Sequence, residues 1–108
     1  MADRVEHAQF LENLNSSFRL MLEDGGSQEL QLIEVSELKR GSQQEMFSVV
    51  FRAPSNEVLA QKIHRLDHDR LGDFEIFLVP IGRDEQGVSY EAVFNRMLRN
   101  SESSGAAS

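Results

Sequence analysis

The chain has no cysteine. That removes a disulfide framework, a thiolate nucleophile and a thiolate metal site together. It also lacks an excess of positive charge. Eighteen acidic residues against eleven basic ones give a net charge of −7, and the Arg and Lys residues are scattered rather than gathered into a stripe. Nucleic-acid binders need such a stripe to neutralise phosphates, so no nucleic-acid partner is expected. An acidic surface instead keeps a protein dispersed. No stretch approaches the roughly 18 consecutive apolar residues of a membrane helix, and the opening MADRVEHAQF has no apolar run long enough for a signal peptide. The expectation is a soluble cytoplasmic protein with no membrane partner. Catalytic signatures are missing too. There is no G-x-S-x-G elbow, and neither Gly25-Gly26 nor Gly82 leads into a helix carrying Lys, as a phosphate-cradling loop would. No catalytic, cofactor-binding or metal residue is assigned, no cofactor is expected, and the protein is read as a non-enzyme.

What the chain does have is apolar material in strand-like order. At 108 residues, 40% apolar and with seven Phe, it can bury a core in one domain without staples. The globular domain is placed at 1–99. The tail 100–108, NSESSGAAS, has nothing to bury and is expected to be disordered. The strongest signal is residues 73–96. Phe74, Ile76, Leu78 and Pro80 alternate with Phe77, Val79 and Ile81, so this strand is apolar on both faces. It turns through residues 83–87, with Gly87 suited to the left-handed position that ends such a loop. It returns with Val88, Tyr90, Ala92 and Phe94 on one face. Pro80 cannot donate to a ladder and must sit at a bulge or with its nitrogen turned away.

The rest of the chain reads more simply. Asp3 and Glu6 resemble a capping box, and Phe10, Leu11 and Leu14 follow at helical spacing, which predicts a short helix over 4–13. Residues 17–22 alternate cleanly, with Phe18, Leu20 and Leu22 on one face. Glu23-Asp24-Gly25-Gly26-Ser27 is a turn. In 29–38, Leu30 and Leu32 share a face while Ile33 and Val35 switch to the other, which predicts a β-bulge. Residues 40–45 read as a polar loop. Phe47, Val49 and Phe51 point inward on a strand that ends at Pro54. Periodicity alone makes 58–71 a helix, from Val58, Leu59, Ile63 and Leu66.

Residues 59–96 resemble a family of small bacterial domains of unknown function. The resemblance rests on Gln61, His68, Leu71 and Gly72, then on the Phe77-Leu78-Val79-Pro80 block with Gly82, and on Tyr90-Glu91-Ala92, Phe94 and Asn95. Phe10-Leu11 and residues 47–50 extend it over most of the chain. The resemblance implies that 61–66 is a strand, reversing the periodicity reading. It also implies neighbours resembling phage-tail-collar proteins. It carries no activity.

Three constellations deserve weighing. His64 and His68 would share a helix face, as in zinc sites, but on a strand they lie about 13 Å apart at ~3.3 Å per residue. His68 is therefore read as structural, hydrogen-bonded to the turn before Leu71-Gly72. Phe74, Phe77, Tyr90 and Phe94 could form a stacking platform, but core packing accounts for them better at this charge. The third option is that one apolar face is a self-association surface.

The expected fold is α+β and mostly β: a short N-terminal helix plus about six antiparallel strands in a curled sheet or partly open barrel. The expected function is a non-enzymatic interaction or assembly module, accessory to a phage-tail-like structural protein. It would be homodimeric and would have a protein partner whose identity the sequence does not give. The alternative is a small-ligand-binding or catalytic β-barrel with a site at its mouth. With Phe77 in the core, Phe77→Ala is expected to cost about 3–5 kcal/mol in a denaturant melt. Dialysed protein titrated with zinc is expected to show no stoichiometric site.

Overall fold

Seven antiparallel strands and one short helix make up the structure, a computed structural model that describes residues 5–55 and 57–97. In chain order they are α1 (His7–Glu12), β1 (Ser17–Met21), β2 (Ser27–Val35), β3 (Lys39–Arg40), β4 (Gln44–Ala53), β5 (Lys62–His68), β6 (Gly72–Asp84) and β7 (Gly87–Met97). The neighbours run β2-β1-β5-β6-β7-β4, and β4 pairs back onto β2. Six strands thus close a barrel. The seventh, β3, lies outside the closed ring on the same edge of β4 that β2 occupies further along. The expected loop at 40–45 is accordingly shorter. Arg40, Gln44 and Glu45 are in strands, because the chain after β2 rejoins β4 instead of leaving it.

Each strand sends one face inward. Phe18 and Leu20 of β1, Leu30 and Leu32 of β2, Phe51 of β4, Leu66 of β5, Leu78 of β6 and Tyr90 of β7 are fully buried. The Tyr90 hydroxyl accepts the Leu59 backbone N–H at 2.9 Å, which satisfies its one polar atom. The β2–β4 register slips between Leu32 and Glu34, so Ile33 is the extra residue behind the switch of face. A second slip, between Pro80 and Gly82, puts Pro80 beside a bulge at Ile81. Residues 58–71 contain no helix. β5 alternates His64, Leu66 and His68 inward, because pairing to β6 overrides the helical spacing and leaves Val58 and Ile63 exposed.

β6 is shared between two neighbours. Its first half pairs with β5 and only residues 79–84 pair with β7. The end of β7 pairs with β4 alone, so the wall splays there. Helix α1 fills the opening. Its start is set by the Glu6 N–H donating to Gln9 Oε1 at 2.8 Å; Asp3, expected to open the cap, lies outside the described residues, as does the tail 100–108. The fully buried Phe10 ring lies 5.6 Å from Phe94, 6.0 Å from Phe47 and 6.1 Å from Phe74, centroid to centroid. Outside this cluster, the Arg96 guanidinium stands 4.8 Å from the Phe94 centroid and donates to the Val5 carbonyl at 2.9 Å. That contact straps the N-terminal segment to β7.

The second apolar face of β6 points outward. Phe77 is 48% exposed, so its expected place in the core is overturned. A barrel strand has one interior side, and Ile76 and Leu78 take it. Truncation of Phe77 is now expected to cost under about 1 kcal/mol, and Phe10→Ala about 3–5 kcal/mol, both read from denaturant midpoints. Gly87 has φ +129°, and a Cβ there would sit 1.9 Å from the Ala53 carbonyl oxygen. Gly87→Ala should therefore destabilise by at least about 1–3 kcal/mol in the same assay.

Candidate functional site

The inward face of β5 carries two imidazoles, and burying a polar group without partners is costly. Both are tied to neighbours. His68 Nδ1 accepts the backbone N–H groups of Arg70 at 3.0 Å and Leu71 at 3.3 Å. This is the structural role expected for it at the turn into Gly72. With Nδ1 accepting, Nε2 carries the proton and donates to Ser16 Oγ at 2.9 Å. The Ser16 hydroxyl in turn donates to the Asn13 carbonyl at 2.5 Å, and the Asn13 amide to the Gln9 carbonyl at 2.8 Å. This relay fixes the β5–β6 turn to the end of α1.

A serine beside a histidine invites a nucleophile reading, but the direction of the proton excludes it. A hydrolase histidine accepts from serine through one nitrogen and donates to a carboxylate through the other. Here the imidazole donates to Ser16 and its other nitrogen faces amides. The nearby carboxylates, Asp67 and Asp69, bind Arg19 at 2.6 and 3.0 Å instead. Burial holds the His68 imidazole below its ordinary pKa, against the opposing pull of Asp69.

His64 Nε2 donates to the Ala60 carbonyl at 2.8 Å. The two β5 histidines share a face but serve different backbone groups. Among the described residues no three His, Asp or Glu side chains are grouped to hold a metal. His64 forms part of a cleft of about 580 Å³ at the barrel mouth, with Asp24, Glu57, Leu59, Lys62 and Ile63. The possible stacking platform is not assembled. Tyr90 is fully buried and Phe74 and Phe94 pack against the core, leaving Phe77 alone outside.

The outer wall of β5, β6 and β7 carries an apolar patch that the sequence did not localise. Ile63 lies directly opposite Phe77 in the β5–β6 ladder. Val79 follows two residues on, opposite Glu91, with Val93 two residues beyond that on β7. Ile63 is 60% and Val93 64% exposed. Val93 also borders a hollow of about 240 Å³ that includes Met46 and Phe47. The sequence signal for this patch was phase. Ile63 and Val93 fall between the inward residues of their strands, so the alternation that buries Leu66 and Ala92 turns them out.

The chain belongs to the family described as a domain of unknown function (DUF6916), whose model matches residues 5–94, from ahead of α1 to late in β7. No curated protein and no solved structure matches it.

The His68 contact predicts a pH dependence. A histidine whose folded pKa lies below its unfolded value, near 6.5, binds protons more readily when unfolded. Its contribution is therefore complete above the unfolded value and is lost as pH falls from there through the lower folded pKa. Denaturant midpoints should fall between about pH 7.5 and 5, above the range in which the paired carboxylates titrate. His68→Asn keeps an acceptor for the turn amides and does not titrate, so the fall should be smaller in that variant.

Proposed function

We propose that this domain is a non-enzymatic interaction module that assembles through the outer wall of β5, β6 and β7. One observation carries the reading: Ile63 and Phe77, directly opposite each other on β5 and β6, and Val93 on β7 are 60%, 48% and 64% exposed. Large apolar side chains gathered this way mark a contact surface. The occupant is a second copy of the chain. A two-fold contact lets one patch serve as its own complement. The protruding Phe77 ring and the hollow of about 240 Å³ beside Val93 supply a knob and a recess on one side of the barrel. The direction of the Ser16–His68 hydrogen bond supports the absence of acyl-transfer chemistry. Such a dimer serves as an accessory to a phage-tail-like structural protein, the setting that the family resemblance implies.

A second reading has its own observation. The cleft at the barrel mouth, about 580 Å³, falls within the roughly 300–1,000 Å³ typical of small-molecule sites. That favours a small-ligand site at the mouth, separate from the assembly face.

Sedimentation equilibrium tests the first reading. The expected species at micromolar concentration has twice the 12.3 kDa chain mass. Its fraction should rise with salt, since the charge of −7 repels at long range and is screened beyond ~10 Å at 0.1 M. Phe77→Glu should yield a monomer with an unchanged far-ultraviolet spectrum. A single 12.3 kDa species at every concentration and salt would remove the proposal.

A further inference from the structure

The mouth cleft has a charge and hydrogen-bond pattern of its own. Lys62 is neutralised by Glu23 at 2.7 Å and Arg65 by Asp73 at 2.6 Å. Asp24 and Glu57, which line the same cleft, form no ion pair among the described residues. Two carboxylates are thus left uncompensated at the opening.

His64 adds an independent feature. The residue is only 7% exposed, and Nε2 must carry a proton because its partner, the Ala60 carbonyl, can only accept. In the neutral ring Nδ1 is then a bare lone pair. It makes no hydrogen bond among the described residues, and His64 is one of the residues that form the cleft wall. Leu59 and Ile63 give that wall an apolar stretch.

We infer that the mouth cleft binds an alkylammonium group. The ammonium would donate to His64 Nδ1 and lie beside Asp24 and Glu57, with its alkyl stem along Leu59 and Ile63. Each hydrogen bond to the cation is charge-assisted and stronger than a neutral one. A carboxylate or phosphate ligand would meet two like charges, and a neutral one would leave both unanswered. The same chemistry is presented by a free alkylamine or by a lysine side chain of a peptide. This inference rests on the mouth-site reading and is independent of the assembly face.

The test is a titration of the full-length, nitrogen-15-labelled protein, followed by NMR. The probes are butylamine and a blocked lysine, with butanol as the neutral control and butyrate as the anionic one. Both amines should shift the amides of Asp24, Glu57 and residues 59–64, and move the His64 Nδ1 resonance toward that of a hydrogen-bonded nitrogen. The double variant Asp24→Asn/Glu57→Gln changes only exposed side chains. It should keep the folded spectrum and bind the amines about tenfold more weakly, the equivalent of ~1.4 kcal/mol. Tighter binding of the blocked lysine assigns the source to a peptide; tighter binding of butylamine assigns it to a free amine. Equal binding of butanol, or undiminished amine binding by the double variant, overturns the inference. If butyrate or butanol shifts the cleft and the amines do not, the inference fails while the mouth-site reading stands. If no probe shifts the cleft, both fail.

Discussion

A closed barrel of six strands has one interior, and strand number limits how much that interior can hold. Everything else in this domain follows from that limit. Phe18, Leu20, Leu32, Phe51, Leu66 and Tyr90 occupy the interior at no measurable exposure. No second apolar face can be taken in. β6 carries two such faces, so one must be outside, and Phe77 is exposed because Ile76 and Leu78 are not. The same limit shapes the splayed end of the wall, where Phe10 of α1 replaces the missing β6–β7 pairing with an aromatic cluster. The helix is therefore spent on the barrel end and does not cover the outer wall.

Two imidazoles in this packing are hydrogen-bonded to other elements. His68 joins the β5–β6 turn to the end of α1 through Ser16, and His7 donates to the Ser36 carbonyl at 2.8 Å while standing edge-on to Phe47. These imidazoles act as connectors between elements that are distant in sequence. Their protons are committed to serine and backbone partners, which is why a Ser–His contact of hydrogen-bonding length carries no nucleophile chemistry here.

Much of the barrel was legible in the sequence wherever one face was polar. Phe18 and Leu20, or Tyr90 and Ala92, alternate with polar or small neighbours, and their inward side follows directly. The irregularities were legible as well, since Ile33 breaks phase and Pro80 cannot donate. The side of β6 that turns inward was not. With apolar residues in both phases, alternation fixes that the faces differ but not which is inside. That choice is made by the ladder to β5, which aligns Ile76 with His64 and Leu78 with Lys62. β5 was hidden from periodicity, because Leu59, Ile63 and Leu66 fall at helical spacing, and it was the family resemblance that marked 61–66 as a strand; pairing outweighs the weak local preference. The relay from His68 to Asn13 joins residues 52 and more apart in the chain, and no local pattern announces it. The mouth cleft is likewise a product of closure, which brings Asp24 of the first turn to His64 of β5.

The central claim is that the outer wall of β5, β6 and β7 is a contact surface and not merely a tolerated exposure. The most direct measurement is a dilution series on methyl-labelled protein. The account predicts concentration-dependent shifts at the methyls of Ile63, Val79 and Val93, with the buried methyls of Leu20, Leu32 and Leu66 unchanged. Outer-wall methyls that stay fixed over the whole range, or shifts confined to the opposite wall at β1 and β2, would contradict it.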